Sequence, residues 1–184
     1  MASRLAAQKG IDVILDAIDE IVARGAQVIV TGSGDKPLEE ALAAAVARHP
    51  GRVASHPFDE HFVRAVYAAA DFLLMPSRFE PCGLSQLIAQ RYGTIPLVTR
   101  TGGLADTVTD LRVDAARGDG IVLRELSVLG LVEAVEAAIA GYRDPGALTA
   151  ARATAMAKDS SWGPALDAYE ALYRGLTGAD SAKR

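Results

Sequence analysis

Short apolar runs alternate with longer segments of helical periodicity along the chain, and this alternation restricts the possible folds more than any other feature. The apolar runs, each short enough for a buried strand, lie at residues 26–31, 53–56, 72–75, 95–99 and 120–122. The segments of helical pattern lie at residues 10–23, from 37, 60–70, 83–92, from 104, 127–142, 145–158 and 164–176. Strands that alternate with helices of about 10–15 residues form parallel βαβ units. The sequence therefore predicts an α/β fold with a doubly wound, Rossmann-like parallel sheet.

The composition is that of a globular chain, with one domain expected over residues 1–178 and a loose tail at 179–184. Half of the 184 residues are hydrophobic and 23% are charged, which is enough apolar content for a substantial core. The net charge of −4 argues against nucleic acid or an anionic membrane as the main partner. No apolar run approaches the ~20 residues of a membrane span. Because Cys82 is the single cysteine, we expect no internal disulfide and a cytoplasmic location.

Two glycine-containing loops follow the predicted strands at 72–75 and 95–99. The first reads Arg-Phe-Glu-Pro-Cys-Gly-Leu over residues 78–84, and the second reads Arg-Thr-Gly-Gly-Leu over residues 100–104. In open α/β sheets, ligands bind outside the carboxyl ends of the strands, where helix N-termini present N–H groups to anions. Two such loops at one edge predict a site for a phosphorylated ligand.

Charged residues near these loops supply candidate chemistry. Arg4 and Lys9 precede the first predicted helix, and two cations there suit a diphosphate because each can donate to its non-bridging oxygens. Glu80 lies between an aromatic residue and Pro81, and a carboxylate fixed in a loop can stabilise an oxocarbenium-like transition state. The alternatives are a solvated basic turn for the two cations and a helix-start acid for Glu80.

These motifs resemble those of bacterial glycogen synthases and plant starch synthases. The resemblance rests on residues 77–84 and 100–108, with Ser-Arg-Leu at 3–5 and Gln-Lys-Gly at 8–10, and it runs in order over about residues 3–176. Such enzymes are retaining glucosyltransferases of the GT-B fold, in which two Rossmann-like domains face each other across a cleft. Only the second domain is matched, so the resemblance implies a C-terminal, donor-binding domain.

The resemblance also implies a reaction and residue roles. These enzymes move glucose from ADP-glucose to the non-reducing end of an α-1,4-glucan with retention. Arg4 and Lys9 match the basic pair that binds the pyrophosphate, and Glu80 matches the glutamate that lies against the donor glucose. Phe58 matches an aromatic residue that stacks on the nucleotide base. The other expected substrate-binding positions are Gly32, Ser33, Cys82, Gly83, Leu84, Thr101, Gly102 and Gly103.

Residues 82–84 are expected to follow Glu80 directly into a helix start, with their N–H groups and those of the Gly102 loop directed at the ligand. Gly32 and Ser33 have an equally good interpretation as a plain structural turn. The three histidines, His49, His56 and His61, have no metal-ligand spacing, so no metal or other cofactor is expected.

The family carries a strand immediately before the Ser-Arg-Leu segment, where this chain has only Met1 and Ala2. We therefore expect a fragment that lacks an N-terminal domain of the same enzyme and is inactive alone; an independently encoded half-enzyme is the alternative. In the family the closing helix, from about residue 162, crosses back to the first domain, so its apolar face is expected to be partly unburied here.

Two other functions remain open. One is a different GT-B glycosyltransferase, such as sucrose synthase or a trehalose-forming enzyme. These usually carry a second glutamate in the following helix, whereas Leu87 stands seven residues after Glu80. The other is a non-catalytic nucleotide- or glucan-binding module. Glucan modules bind sugar through exposed aromatic side chains, and only 5% of this chain is aromatic.

Overall fold

The computed structural model describes residues 1–177, and it confirms the α/β, Rossmann-like class. The predicted tail at 179–184 lies outside the described residues. The strands are β1 (Val28–Thr31), β2 (Val53–His56), β3 (Phe72–Met75), β4 (Ile95–Val98) and β5 (Ile121–Val122). The helices are α1 (Ile11–Ala23), α2 (Lys36–Arg48), α3 (Glu60–Ala69), α4 (Ser85–Tyr92), α5 (Gly102–Thr107), α6 (Val128–Tyr142), α7 (Pro145–Ala157) and α8 (Trp162–Thr177).

All strand pairs are parallel, and the described strands form two sheets rather than one. One sheet pairs β1 with β2, and the other has the order β3-β4-β5. The first five residues run alongside β1, with parallel bridges from Ala2 to Thr31 and from Leu5 to Gly34. This arrangement places the segment that leads to Lys9 at the carboxyl end of β1.

Helices cover both faces of the sheets. Neighbouring side chains of a strand point to opposite faces, and here both faces carry apolar side chains that pack against helices. One core cluster joins Leu74, Leu97 and Ile121 to the buried faces of α1 and α6. A second cluster joins Leu73, Met75, Val98 and Val122 to Ala89 of α4 and Leu104 of α5. Two helical layers around parallel strands are the doubly wound arrangement that the sequence predicts.

Two helix starts next to the glycine-containing loops differ by two residues from the sequence prediction. Helix α4 begins at Ser85 rather than at residue 83, because Gly83 has φ +71° and so cannot lie in a right-handed helix. Residues 82–84 therefore form a loop ahead of the helix. Helix α5 begins at Gly102 rather than Leu104, because the N–H groups of Leu104 and Ala105 already donate to the carbonyl of Thr101.

The turn before α1 is a short 3₁₀ helix, Ala7–Lys9, which the sequence predicts only as a turn. Gly10 separates it from α1 with φ +71°. A Cβ at Gly10 would lie 1.9 Å from the carbonyl oxygen of Pro76, so this turn packs directly against the backbone after β3.

Helix α8 packs least on the rest of the described chain. None of its residues is buried. Its large exposed apolar side chains are Trp162, Leu166, Tyr169, Leu172, Tyr173 and Leu176. The apolar face of this closing helix, which the sequence analysis expects to be partly unburied, is exposed among the described residues. Among the residues described, no helix combines the length and apolar character needed to cross a membrane.

Candidate active site

Three segments are joined by hydrogen bonds at the carboxyl ends of β1, β3 and β4. They are residues 3–10, the loop 76–84 after β3, and residues 99–103 leading into α5. The backbone N–H of Arg78 donates to the carbonyl of Gln8 at 2.9 Å, and that of Gly103 donates to the carbonyl of Glu80 at 3.0 Å. This is the edge at which α/β sheets bind ligands.

Lys9 and Glu80, which are 71 residues apart in the sequence, form an ion pair at this edge. Lys9 Nζ lies 2.6 Å from Glu80 Oε2, and the side chains are only 20% and 10% exposed. The Ser77 hydroxyl donates to the same oxygen at 3.3 Å. An ammonium has three donors and a carboxylate has about four acceptor sites, so both groups retain capacity for a ligand.

Arg78 fastens the Glu80 loop to the start of α1. Its guanidinium donates two parallel hydrogen bonds to the carboxylate of Asp12, at 2.8 and 2.7 Å, and a third to the carbonyl of Ala7. The hydrogen bond from Arg78 holds the pKa of Asp12 below its usual value. Bidentate pairing fixes direction as well as distance. The Lys9 turn and the Glu80 loop are therefore held as one unit.

The two glycine loops touch backbone to backbone. A Cβ at Gly102 would lie 2.1 Å from the carbonyl oxygen of Glu80, and one at Gly103 would lie 2.0 Å from that of Cys82. Real Cβ atoms do not approach so closely, so both positions need glycine. The N–H of Gly103 is bonded to protein carbonyls and is not directed at a ligand, contrary to the expectation for this loop.

The loop 82–84 presents side chains and backbone to solvent. Cys82 is an exposed free thiol, and Leu84 is 70% exposed. A cavity of about 50 Å³ lies beneath the loop, and its lining includes Met1, Ser3, Lys9, Ser77, Glu80 and Gly83. A cavity of that size holds a few water molecules, so any larger ligand would have to lie on the open surface.

Gly32 and Ser33 support the neighbouring segment. A Cβ at Gly32 would lie 1.8 Å from the carbonyl oxygen of Ser3, and the carbonyl of Ser33 accepts from the N–H of Leu5 at 3.0 Å. These contacts agree with the structural-turn interpretation. The Ser33 side chain itself is exposed.

Arg4 and Phe58 lie on the open surface. Arg4 is exposed and donates to Gln8 Oε1 at 3.4 Å. Phe58 follows β2 and is 67% exposed. The structure thus brings Lys9, Glu80 and both glycine loops into contact, while Arg4 and Phe58 remain free to meet a ligand.

Several residues that shape the site were given no role in it by sequence reasoning, although three of them lie in the motifs at 8–10 and 77–84. They are Gln8, Asp12, Ser77, Arg78 and Gln86. One signal was available for Gln86, because it shares the buried stripe of α4 with Ala89. An amide on a buried helical face needs a hydrogen-bond partner. Among residues 1–177, no group of three or more His, Cys, Asp or Glu residues is arranged to hold a metal ion.

Comparison with known proteins gives consistent matches. The family described as "Glycosyl transferases group 1" matches residues 1–141. A glycogen synthase of Rhodospirillum rubrum is 47% identical over 181 residues, which are 98% of this chain and 37% of that protein. A glycogen synthase of Alkalilimnicola ehrlichii is 46% identical over 95% of this chain and 36% of its own length.

A solved structure agrees with these relatives. The catalytic domain of starch synthase IV from Arabidopsis thaliana, bound to ADP and acarbose, superposes with a TM-score of 0.84 at 31% identity. The match covers 94% of this chain and 36% of that one. The chain thus spans a little over a third of the length of the relatives that it matches.

Proposed function

The chain belongs to the group 1 glycosyl transferases, and from that membership we propose that it is the sugar-nucleotide-binding, C-terminal part of a glycogen synthase. In this proposal the whole protein transfers glucose from ADP-glucose to the non-reducing end of an α-1,4-glucan, with retention. The relatives named glycogen synthase, at 46–47% identity, support the reaction. The starch synthase structure bound to ADP supports the donor.

One observation carries the proposal for this chain's own residues, namely the close pairing of Lys9 with Glu80 at 2.6 Å. Chain segments far apart in sequence converge there on one cation and one carboxylate at the ligand-binding edge. The transfer needs both the cation and the carboxylate, because charge of each sign develops as the donor bond breaks. Negative charge develops on the departing diphosphate, and positive charge develops at the anomeric carbon of the sugar.

The residues would divide the work as follows. Lys9 and the exposed Arg4 bind the diphosphate and neutralise charge on it as the bond from the anomeric carbon to its oxygen breaks. The carboxylate of Glu80 lies against the glucosyl group, where it stabilises an oxocarbenium-like transition state. Phe58 offers a ring face for the base, and the loop 82–84 contacts the donor.

The acceptor glucan must be held by a part of the enzyme that faces the donor-binding edge of this chain. In this proposal the described strand ends form one wall of a cleft, because glycosyl transfer needs an acceptor held against the anomeric carbon with water excluded. We propose that a further domain of the same enzyme supplies that second wall. The exposed apolar face of α8 is the surface of this chain that suits such a contact.

The direct test is calorimetric titration of the 184-residue chain with ADP. We expect binding of ADP to be tighter than that of UDP, and Lys9→Ala to weaken ADP binding at least several-fold. The reason is that a hydrogen bond to a charged group contributes about 1.5–3 kcal/mol.

The matched control is Arg24→Ala. Arg24 also pairs with a carboxylate at 2.6 Å, that of Glu136, but lies at the opposite end of α1, about 20 Å away by helix rise. It should leave ADP affinity unchanged. Equal affinity in wild type and Lys9→Ala would remove Lys9 from the site. Binding of maltooligosaccharide but not of ADP would favour a glucan-binding module instead.

A further inference from the structure

The side chain of Gln86 lies completely buried beneath the loop that carries Glu80. Its relative exposure is 0%, although it stands in the first turn of α4, directly after that loop. Gln86 Nε2 lies within hydrogen-bonding distance of the carbonyls of Cys82 (3.2 Å) and Gly83 (2.9 Å). Since carbonyl oxygens only accept, these two contacts require the NH₂ end of the amide to face the loop.

The same nitrogen also reaches the second glycine loop. Nε2 lies 3.0 Å from the hydroxyl of Thr107 at the end of α5, and that hydroxyl donates to the carbonyl of Gly103. The NH₂ group has two hydrogens for these three acceptors, so one hydrogen is shared between two of them. One buried amide therefore joins the loop after Glu80 to the helix that begins at Gly102. The N–H of Gly103 makes a second link between the two segments, because it donates to the carbonyls of Glu80 and Pro81.

The loop is shaped around this amide. A Cβ at Gly83 would lie 2.4 Å from Gln86 Oε1 and 2.8 Å from Nε2, and Gly83 has φ +71°. Gly83 thus lies directly over the amide, in a conformation that L side chains rarely adopt. Gln86 Oε1 is buried and has no hydrogen-bond partner among residues 1–177. An apolar side chain would avoid that unsatisfied oxygen, so filling the core does not explain a glutamine here.

We propose that Gln86 is a positioning residue for the candidate site. It holds the loop 82–84 and the start of α5 at the separation at which the loop can contact a nucleoside diphosphate sugar. Gln86 touches neither the ligand nor the reacting atoms, and it acts through the carbonyls of Cys82 and Gly83. This inference rests on the proposed function.

Helix α4 supplies a matched control. Gln90, one turn further along, is 1% exposed and also has a buried Oε1 without a partner among the described residues. Its Nε2 donates to the carbonyl of Asp119 at 3.3 Å, away from both loops. Gln86 and Gln90 therefore share residue type, helix and burial but differ in what the amide holds.

The experiment compares ADP affinity and melting temperature for wild type, Gln86→Met and Gln90→Met. Methionine is close to glutamine in length and removes only the amide. We expect similar changes in melting temperature for the two variants, because both lose one buried amide. ADP affinity should fall about tenfold or more in Gln86→Met and stay near wild type in Gln90→Met.

A third variant gives a readout that a purely structural role would not produce. Gln86→Glu keeps the shape but brings a carboxylate against two carbonyl oxygens, and burial raises the pKa of such a group. The protonated acid regains one donor. The loss of ADP affinity in Gln86→Glu should therefore shrink as the pH falls from about 8 to about 6, while the loss in Gln86→Met stays constant. This arm also decides the question if Gln86→Met does not fold.

The possible failures are distinguishable. Wild-type protein that binds no ADP would overturn the proposed function itself. Wild-type binding that is weakened equally by Gln86→Met and Gln90→Met, or by neither, would overturn the positioning role of Gln86. A pH-independent loss in Gln86→Glu would do the same.

Discussion

The carboxylate of Glu80 accepts a hydrogen bond from the same ammonium that we expect to bind the diphosphate. In the unliganded chain the ammonium of Lys9 is therefore already paired with a carboxylate, and a diphosphate must compete with Glu80 for it. Glu80 is only 10% exposed at its side chain, so this competition takes place where water screens charges weakly. Removing the charge of Lys9 should therefore lower ADP affinity, whereas removing the charge of Glu80 should raise it.

We expect Glu80→Gln to tighten ADP binding by the 184-residue chain several-fold, because it removes the competing negative charge near Lys9. The same change should lower kcat far more than it alters the KM for ADP-glucose, because a carboxylate beside a developing positive charge stabilises the transition state more than the ground state.

Turnover would be measured in a chimera in which this chain replaces the matching 181 residues of the Rhodospirillum rubrum glycogen synthase. If kcat stays within a few-fold of the unmutated chimera and ADP affinity does not rise, Glu80 has no part in donor binding or in the reaction, and its ion pair with Lys9 serves the fold alone.

Helix α5 can lie close to the Glu80 loop only because its first two residues, Gly102 and Gly103, have no side chains. The three atoms nearest to the Cβ that an alanine would add at Gly103 are all backbone atoms of Cys82, at 2.0, 2.6 and 2.7 Å. Backbone cannot move aside as a flexible side chain can, so the two loops would have to separate. That separation would break the hydrogen bond from Gly103 to the carbonyl of Glu80.

Gly103→Ala should therefore destabilise the fold by about 1–3 kcal/mol, as overpacking does, and weaken ADP binding as well. The control is Gly141→Ala in α6, where an added Cβ would meet nothing within 4 Å. That substitution should stabilise by up to about 1 kcal/mol, because alanine loses less backbone entropy in a helix than glycine. Urea unfolding of both variants measures the two changes in the free energy of unfolding, which should have opposite signs. A Gly103→Ala chain as stable as wild type would show that the loops are not in close contact.

The first residues of the chain connect distant parts of the molecule. Residues 1–5 run alongside β1, and Lys9 pairs with Glu80 in the loop after β3. The amino group of Met1 donates to the carbonyl of Ile29 at 2.8 Å, and Met1 is 7% exposed. Burial lowers the pKa of this amino group from 8.0 to about 5. The folded state thus favours the neutral amine, whereas the unfolded chain binds a proton below about pH 8.

In a polypeptide that begins at Met1, stability should therefore rise with pH between about 5 and 8 and be insensitive to this group outside that window. The full effect is at most about 4 kcal/mol. Comparing unfolding free energies of the free and Nα-acetylated chains across that range isolates the amine from the histidines, which are common to both. Parallel pH profiles would mean that the amine is solvated.

Local pattern was sufficient to predict the five strands and eight α-helices of the described residues, and the bounds of several of them. Strands β2 and β3 have the predicted bounds, and α1, α3 and α6 lie within one residue of theirs. Hydrophobic period depends on near neighbours in sequence, so it can be seen without the fold. The motifs around Lys9 and Glu80 were visible for the same reason, because the residues of each motif are contiguous.

Only the tertiary structure decided which groups meet. Nothing local to Lys9 indicates that its partner is Glu80, and nothing local to Asp12 indicates that Arg78 lies beside it. Helix α4 begins at Ser85 rather than at residue 83, because Gly83 has φ +71° and lies against the buried amide of Gln86. Such contacts depend on strand order and on distances of about 3 Å between segments that are distant in the chain. A periodic pattern carries no information about either, because it reports which face of an element is buried and not what lies against it.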